Sequence, residues 1–520
     1  MTDWWRGAVF YQVYPRSFMD GDGDGIGDLK GIAARLDHIA GLGADAVWLS
    51  PVFPSPMKDF GYDVSDYGDI DPLFGTLAEF DALVEAVHGR GMKLILDQVW
   101  SHTSDLHPWF ADSVAGGDKA DWYVWAEARP DGSPPNNWLS VFGGPAWTWS
   151  ARRGRYYLHN FLSQQPDLNF HNPAVQEAVL AAARFWLERG VDGFRLDVVN
   201  YYAHDAMLRD NPPSGAVAAT PYGFQRHLYD RSRPQTLAFV ARLRALLDSY
   251  GAMAVGEIFD DAPLERQREY TDGEDRLHTA YSFFLLDAAA ATPALFAQAL
   301  RAWEGAAGWP SWSLSNHDVI RFPTRFGAVG DTARIKSLLA LLLCLRGSVF
   351  LYQGDELGLP HAHVPYERLR DPFAIAAWTG GSGRDGARTP MPWTPAAGAG
   401  FSTAEPWLPL DPAHLPLSVE AQAGDSDSVL SFVRGFLRLR KGLKMLRGGD
   451  VALRPAPDGV LAFERSGEGG RVLCAFELAG RPAHLPAGAD AALVDTGLGG
   501  LLQGGEVVLP PYGGALLRLG

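Results

Sequence analysis

The chain has 520 residues, with 45 lysines and arginines, 61 aspartates and glutamates, and a formal net charge of −16. Hydrophobic residues make up 47% and charged residues 20%, a composition that supports a large packed core and excludes global disorder. An acidic surface repels nucleic-acid phosphates and anionic lipids, so we expect neither nucleic acid nor a membrane as a partner.

The N-terminal segment, the apolar runs and the two cysteines bear on cellular location and redox state. The first ten residues, MTDWWRGAVF, lack the basic and apolar stretches of a signal peptide. The longest purely apolar run, 338–345, is too short to span a bilayer. We therefore expect a cytoplasmic protein. Cys344 and Cys474 lie in apolar surroundings, which predicts buried free thiols rather than a disulfide or a metal site.

Short β-branched or aromatic segments alternate with helical patterns along most of the chain. The predicted strands are 8–15, 44–50, 92–99, 191–199, 252–259, 281–286, 312–316 and 348–354. Helical patterns lie between them, at 76–90, 173–189, 237–250, 293–306 and 332–345. Strands joined by helical crossovers pair in parallel, and eight of them close into a (β/α)8 TIM barrel. An open doubly wound sheet is the alternative, but the glycine motif that it commonly shows after its first strand is missing here.

Three segments depart from this alternation and set the predicted domain boundaries. Residues 103–172 are rich in Trp, Pro, Gly and Asn without a helical period. They predict an irregular insertion between two parts of the barrel, 1–102 and 173–446. Residues 447–520 form short alternating runs between Gly and Pro turns, which predicts an all-β C-terminal sandwich domain. The long segment 200–236 follows the fourth strand, and because loops of this length are commonly functional, we expect it to form a wall of the active site.

Charged side chains lie at or just beyond the ends of four predicted strands, where a barrel places its active site. They are Asp97, His102, Arg195, Asp197, Glu257, His317 and Asp318. One aspartate at a strand end is commonly a turn residue, but the coincidence of several on one rim favours a shared site. The sequence has no His-x-His pair after the first strand and no His-Glu-x-x-His motif for a catalytic metal. Glycoside hydrolysis instead needs two carboxyl groups in different protonation states.

The positions of two acids predict their roles. Arg195 lies two residues before Asp197, so both side chains project from one face of the strand. The guanidinium then keeps Asp197 ionised as a nucleophile. Glu257 lies in the apolar segment AVGEIF, and we expect apolar surroundings to raise its pKa and make it a general acid. Asp97 is expected to hold the surrounding network rather than to contact the substrate.

Acidic residues and glycines alternate in the segment DGDGDGIGD. Asp20, Asp22, Asp24 and Asp28, with the backbone carbonyl of Ile26, offer the oxygen ligands that a hard divalent cation prefers. Four like charges this close would repel one another without a counter-ion. The segment therefore predicts a bound cation rather than a merely solvated acidic loop.

Several motifs resemble one enzyme family. Four of them resemble the four sequence regions of the α-amylase superfamily, glycoside hydrolase family thirteen: DQVWSH (97–102), GFRLDVVN (193–200), GEIF (256–259) and SNHD (315–318). The segment QPDLN resembles the fifth region of this family. The N-terminal segment WWRGAVFYQVYPRSFMDGDGDGIGDLKGI and the later RDGARTPMPW resemble its branch of α-glucosidases and oligo-1,6-glucosidases.

This resemblance implies an exo-acting α-glucosidase that works by a retaining double displacement without a catalytic cofactor. Asp197 would form the glucosyl-enzyme, Glu257 would act first as acid and then as base, and Asp318 would stabilise the transition state. The acidic loop would bind Ca²⁺ or Mg²⁺ as a structural ion. The substrate-binding residues that it implies are Asp59, Tyr62, His102, Phe142, Gln165, Arg195, His317 and Arg384. Arg384 would pair with Asp59, with Arg388 as the competing partner.

The linkage that is cut stays open at this point. Val198 follows the nucleophile position and resembles enzymes of the branch that cut α-1,6 bonds. The 200–236 loop instead resembles bacterial α-glucosidases that favour disaccharides and short oligosaccharides, often with transglucosylation. The alternatives are an oligo-1,6-glucosidase, a sucrose- or trehalose-isomerising relative, and the non-catalytic members of the family, which lack catalytic acids that are present here. The oligomeric state, monomer or homodimer, is also open.

Overall fold

A computed structural model describes residues 3–218, 220–376, 381–488 and 490–520. The chain is divided into two compact units. The first consists of Met1–Trp48, Ala86–Lys93 and Phe283–Gly520, and the second of Leu49–Glu85 and Leu94–Ser282. Among the described residues, no helix combines the length and the apolar character that crossing a membrane requires.

Eight parallel strands alternate with helices along the chain. They are β1 (Val9–Val13), β2 (Ala46–Leu49), β3 (Lys93–Gln98), β4 (Gly193–Leu196), β5 (Met253–Ile258), β6 (Thr279–Ser282), β7 (Ser311–Trp312) and β8 (Ser348–Tyr352). Their order in the sheet is β7, β8, β1, β2, β3, β4, β5, β6. This is the neighbour order around a (β/α)8 barrel, and the eight strands form a nearly closed one. The predicted fold class is confirmed.

The helices begin and end where local sequence signals place them. Outside the 103–172 insertion, those up to the last barrel strand are Leu29–Leu42, Leu77–His88, Pro173–Glu188, Pro234–Tyr250, Pro263–Glu269, Phe283–Leu286, Pro293–Arg301, Phe322–Arg325 and Thr332–Cys344. Those that follow it are Pro372–Ala376, Asp385–Arg388, Val419–Ala423, Val429–Gly442 and Lys444–Gly448. Proline occupies the first position of several, where its missing N–H costs no hydrogen bond. Gly251, with a φ of +66°, ends Pro234–Tyr250 in the left-handed conformation.

The sixth predicted strand is partly wrong. The run 281–286 contains the end of β6, but the chain turns helical at Phe283–Leu286. A short continuous apolar run has no period that separates a buried strand from a buried helical turn, so the sequence pattern could not place this boundary.

The 103–172 insertion contains more regular structure than its composition predicts. It holds the helix Pro108–Ala115 and a three-stranded antiparallel sheet of Trp125–Ala126, Arg155–Leu158 and Trp147–Ser150. A separate small core supports it, in which Trp138 and Trp147 are buried with Val124 and Leu158. The elements are too short for their periodicity to be visible in the sequence.

The C-terminal region is all β, as predicted. Five antiparallel strands form one sheet, in the order Asp450–Arg454, Val460–Gly467, Gly470–Glu477, Gly514–Leu519 and Ala492–Val494. A second sheet has the order Ala483–Pro486, Glu506–Leu509 and Leu501–Gln503. Both cysteines of the chain are free and buried, which confirms that prediction.

Candidate active site

A buried guanidinium lies among the predicted catalytic acids. Arg195 is completely buried. Its Nη1 lies 2.8 Å from Asp97 Oδ1 and 2.7 Å from Asp197 Oδ1, and its Nη2 lies 2.6 Å from Glu257 Oε2. The two acids predicted to be nucleophile and proton donor therefore bind the two terminal nitrogens of one guanidinium.

Strand register explains this convergence. Asp97 on β3 is directly opposite Arg195 on β4, and Arg195 is directly opposite Val255 on β5. Because side chains alternate along a strand, Asp197 and Glu257 lie two residues further along on the same face as Arg195 and Val255. The ends of three neighbouring strands thus present three carboxyl groups to one cation.

The carboxyl group of Glu257 contacts polar groups, so the expectation that its surroundings are apolar is wrong. Its Oε1 accepts a hydrogen bond from the Tyr281 hydroxyl at 2.9 Å, and its Oε2 accepts one from the Val198 N–H at 3.1 Å. The apolar neighbours Gly256 and Ile258 face the other side of the strand, so the sequence around an acid on a strand does not describe what its carboxyl group contacts.

Val198 has an uncommon backbone conformation. Its φ of +32° and ψ of +51° lie in the left-handed region, which a β-branched residue rarely adopts. This conformation, directly after Asp197, directs the Val198 N–H to Glu257. Local strain of this kind occurs where the surrounding structure fixes a functional geometry.

Asp97 holds the network from a fully buried position. In addition to Arg195, it accepts a hydrogen bond from the Tyr62 hydroxyl at 3.1 Å. Burial raises the pKa of Asp97 to about 6, although Arg195 acts in the opposite direction. The expectation that Asp97 supports the network rather than contacting the substrate stays a prediction.

Four of the predicted substrate-binding residues lie together in the second unit. Gln165 Nε2 donates to Asp59 Oδ2 at 3.2 Å and to the Tyr62 carbonyl at 3.1 Å. His102 Nε2 lies 2.9 Å from the same carbonyl, and its Nδ1 lies 2.8 Å from Ser101 Oγ. Burial lowers the pKa of His102 to about 4, so its ring is neutral at neutral pH and donates from Nε2.

Aromatic rings continue this cluster. Phe142 packs against Phe161 with ring centroids 5.9 Å apart, and Phe161 contacts His102 at 5.3 Å and Tyr201 at 5.5 Å. The insertion therefore contributes apolar surface beside the polar groups, which is the combination that binds a sugar ring in an oriented way.

Asp318 and His317 lie in the first unit. The His317 ring stacks on Tyr14, with centroids 5.5 Å apart and an angle of 20°, and its Nδ1 lies 2.9 Å from Gln12 Nε2. Its Nε2 is 3.2 Å from Asp318 Oδ2. The position of His317 is thus fixed by two residues from the first barrel strand and the turn that follows it.

Both candidate arginines contact Asp318. Arg388 Nη2 lies 2.9 Å from Asp318 Oδ1, and Arg384 Nη1 lies 3.4 Å from the same oxygen. Arg384 also pairs with the buried Asp371 at 2.9 Å, whereas Arg388 donates to the carbonyl of His317 at 2.7 Å. The pairing of Asp59 with Arg384 rather than Arg388 stays a prediction.

The acidic loop brings three of its predicted ligands together. One carboxylate oxygen from each of Asp20, Asp22 and Asp28 lies within 4.8 Å of the others. A Cβ at Gly21 would lie 2.7 Å from Asp28 Oδ1, so the close approach of this carboxylate requires glycine. Three carboxylates at this spacing match the oxygen donors that Ca²⁺ and Mg²⁺ prefer. Among the described residues, the carboxylate of Asp24 is not part of this group, and the roles of Asp24 and Ile26 stay predictions.

Residues 12–449 match a family model described as "Alpha amylase, catalytic domain". The chain belongs to the α-amylase family. This confirms the family that the sequence motifs indicate, and with it the expectation of a glycoside hydrolase.

Relatives within the α-amylase family resemble this member over nearly its whole length. A protein of Rhizobium meliloti (strain 1021) named "Probable alpha-glucosidase" is 51% identical, over 99% of this chain and 97% of the relative. The oligo-1,6-glucosidase of Parageobacillus thermoglucosidasius is 38% identical, over 84% of each. The solved structure of an α-glucosyl transfer enzyme, XgtA, is 50% identical and covers 100% of both chains with a TM-score of 0.97. The α-glucosidase branch is thereby confirmed.

Two buried residues of this α-amylase family member, Tyr281 and Arg231, are not among the site residues that the sequence predicts. Tyr281 lies opposite Glu257 in the β5–β6 register, which the sequence alone does not give. Arg231 lies in the 200–236 loop and is buried. It donates to the hydroxyls of Tyr201 and Tyr222 at 2.7 and 2.8 Å. Nothing in the sequence separates it from the exposed charges of the same loop.

Proposed function

We propose that this protein is an exo-acting retaining α-glucosidase that releases terminal α-D-glucose from disaccharides and short oligosaccharides. The observation that carries this proposal is the attachment of Asp197 and Glu257 to the two terminal nitrogens of Arg195. Retaining glycosidases hold their two carboxyl groups about 5–5.5 Å apart, and a shared guanidinium holds two carboxyl groups at short range.

The proposed reaction has two steps. Asp197 attacks the anomeric carbon while protonated Glu257 gives its proton to the leaving glycosidic oxygen, and a covalent glucosyl-enzyme forms. Water then attacks the same carbon, its proton moves to Glu257, and the bond to Asp197 breaks with the electron pair returning to the carboxylate. Two inversions give net retention. Asp318 is assigned to the sugar hydroxyls and to stabilisation of the charge that develops in the transition state.

The remaining predicted residues are assigned to the terminal glucose. Asp59 and its arginine partner would bind the hydroxyls at the non-reducing end, with Tyr62 as a stacking surface. His102, Gln165 and His317 would hydrogen-bond further hydroxyls, and Phe142 would close the apolar side. A pocket that encloses the terminal sugar releases one glucose at a time, which supports exo action.

The preference for short substrates rests on the 200–236 loop. Arg231 binds Tyr201 and Tyr222, and its guanidinium also lies over the ring of Phe259 at 5.2 Å. Phe259 is two residues after the proposed acid, Glu257. The buried Arg231 therefore attaches the loop to the segment that follows Glu257. A loop fixed there, beside the leaving-group oxygen, would leave little room for a long leaving group.

A substrate panel tests this preference. We expect higher kcat/KM on disaccharides such as maltose or sucrose than on longer maltodextrins, because the fixed loop restricts the space beyond the second sugar. Comparison of maltose, isomaltose, sucrose and maltodextrins, with product analysis and Asp197→Ala as the blank, measures it. Fastest turnover on the longest maltodextrins, or on starch added to the panel, would contradict the loop argument.

An oligo-1,6-glucosidase is the second candidate, favoured by Val198 and by the relative of that name. Faster hydrolysis of isomaltose than of maltose in the same panel would favour it. Conversion of sucrose without net release of glucose would indicate an isomerising enzyme, and glucosylated products at high substrate concentration would establish transglucosylation.

We also propose that the loop of Asp20, Asp22 and Asp28 binds a structural divalent cation, Ca²⁺ or Mg²⁺, with further ligands from Asp24 and the Ile26 carbonyl. The three converging carboxylates support this. Such an ion would supply positive charge that holds the loop together, and no step of the proposed reaction uses it.

A further inference from the structure

We propose that Tyr281 is a positioning residue that donates a fixed hydrogen bond to Glu257 and thereby favours the charged form of its carboxyl group. This inference rests on the proposed function and deepens it. Glu257 acts as an acid in the first step and as a base in the second, and Tyr281 would influence which of its two protonation states is favoured.

The geometry fixes the direction of the hydrogen bond between the two side chains. The Tyr281 hydroxyl lies 3.1 Å from Arg195 Nε and 3.0 Å from Arg195 Nη2, and 2.9 Å from Glu257 Oε1. A guanidinium has donors and no acceptor, so the phenol oxygen accepts from Arg195. Its single proton is then available for Glu257, and Tyr281 is a fixed donor to the carboxyl group.

The phenol keeps its proton under working conditions. Tyr281 is nearly completely buried, and burial raises its pKa well above the ordinary value, although Arg195 opposes this rise. A buried phenol that is aimed by a guanidinium gives up no proton at neutral pH. The donor is therefore present at every pH at which the enzyme is expected to work.

Each oxygen of Glu257 accepts from at least one donor. Oε1 accepts from Tyr281, and Oε2 accepts from Arg195 and from the Val198 N–H. Donors to the charged form of a carboxyl group favour that form. The charged and titratable groups of the second unit that share this network are Arg195, Asp97, Asp197, Tyr62 and Tyr281. Arg195 is the cation among them. It contacts Oε2 of Glu257 directly, and the Tyr281 hydroxyl, which accepts from Arg195, donates to Oε1.

An ionised Glu257 is prepared for the second step. There it takes a proton from water as the water oxygen bonds to the anomeric carbon and the bond to Asp197 breaks. The first step needs the opposite state, because the leaving oxygen takes its proton from Glu257. The hydrogen bond from Tyr281 thus favours the deprotonated form of Glu257, which acts as the base. It also narrows the pH range in which Glu257 carries the proton that the first step needs.

The test is the pH dependence of kcat/KM on maltose for the wild type, Tyr281→Phe and a matched control. The alkaline limb of this profile reports loss of the acid proton in the free enzyme. Loss of one donor to a carboxylate moves this limb to higher pH by about one unit. Tyr202→Phe is the control, because its hydroxyl is buried without a hydrogen-bond partner among the described residues, and we expect its limb to overlay that of the wild type.

An unshifted limb in Tyr281→Phe, or an equal shift in Tyr202→Phe, would overturn the inference. Should Tyr281→Phe fail to fold, 3,5-difluorotyrosine at position 281 provides the opposite test, since a stronger donor moves the limb to lower pH. The proposed function fails separately: in that case the wild type does not hydrolyse α-glucosides, or Glu257→Gln retains full activity.

Discussion

Arg195 is the residue on which the proposed chemistry depends most. It is a completely buried cation with ion-pair distances of 2.6–2.8 Å to three carboxyl groups. Removal of one partner from a buried ionic cluster leaves charges that neither water nor a counter-ion stabilises. The contribution of Arg195 is therefore visible in stability as well as in activity.

Replacement of Arg195 by methionine tests this at the level of folding. We expect Arg195→Met to lower the free energy of unfolding by about 3–5 kcal/mol, the cost of breaking a buried pair from one side. Urea unfolding measures it. Arg90→Met is the control, because Arg90 pairs with the exposed Asp37 at 2.7 Å, and a surface pair contributes about 0–1 kcal/mol. Equal effects of the two substitutions would contradict the assigned role.

Asp167 predicts a pH dependence of stability. Burial raises its pKa to about 8, although hydrogen bonds from Asn160 act in the opposite direction. In the unfolded chain an aspartate loses its proton near pH 3.9. Between these values the folded state binds more protons, so the contribution of Asp167 is full at low pH and is lost as the pH rises toward about 8.

Asp167→Asn removes this dependence, because asparagine carries no titratable proton. Relative to the wild type, the variant is expected to gain about 1.4 kcal/mol of stability per pH unit between pH 5 and pH 7. Urea unfolding at both values measures the gain, with the exposed Asp118→Asn as a control that should follow the wild type. A difference between Asp167→Asn and the wild type that does not change with pH would be the contradicting result.

At this scale the sequence predicted which residues carry charge but not all of their partners. The pairing of Arg195 with Asp197 follows from alternation along one strand. The pairing of Glu257 with Tyr281 depends on the register between two strands, which the sequence does not display. The apolar neighbours of Glu257 predict an apolar environment, but they face the opposite side of the strand from its carboxyl group.

Two loops are the elements that distinguish this chain from a bare barrel. The 200–236 loop is anchored by Arg231, whose Nη2 also lies 2.7 Å from Asp261 Oδ1. Because Asp261 follows β5, the loop is fastened to the segment that carries the proposed acid. The 103–172 insertion contributes Phe142 and Gln165 to the proposed sugar site.

The acidic loop gives a prediction at the scale of an element. A ligand that binds only the folded state stabilises it by about 2.7 kcal/mol at one hundred times its dissociation constant. We therefore expect chelation of divalent cations to lower the melting temperature of the wild type, and added Ca²⁺ or Mg²⁺ to restore it. Differential scanning calorimetry with and without EDTA measures this, and Asp22→Asn should be much less sensitive. An unchanged melting temperature of the wild type would exclude the site.

The strands were more predictable than the connections. Apolar runs bounded by glycine and helical patterns overlap all eight barrel strands, because strands buried on both faces are continuous in composition. The runs 281–286 and 312–316 extend past the ends of β6 and β7. The sequence pattern does not predict the helix Pro108–Ala115 or the helical turn that begins at Phe283. Helices of about two turns or fewer are too short to show a hydrophobic period. The ends of these strands and helices could not be predicted, because tertiary packing rather than the local sequence pattern determines where they lie.

At the scale of the whole molecule, the barrel gathers groups that are distant in the sequence. Asp97, Arg195 and Glu257 are separated by up to 160 residues, yet parallel strands end at one rim and the register brings the three side chains into contact. The likeness to relatives over 99% of the chain fits a fold whose function depends on all of its strands. The motifs 97–102, 193–200, 256–259 and 315–318 each lie at or shortly after the end of a barrel strand.

The most direct test of the account is the anomeric configuration of the glucose first released from p-nitrophenyl α-D-glucoside, whose leaving group has no anomeric centre. ¹H NMR during the first minutes of hydrolysis, before mutarotation, distinguishes the two anomers. Two carboxyl groups held by one guanidinium and acting in a double displacement predict that α-glucose appears first and that Asp197→Ala releases none. Initial release of β-glucose would show a single displacement by water and would contradict the assignment of Asp197 as the nucleophile.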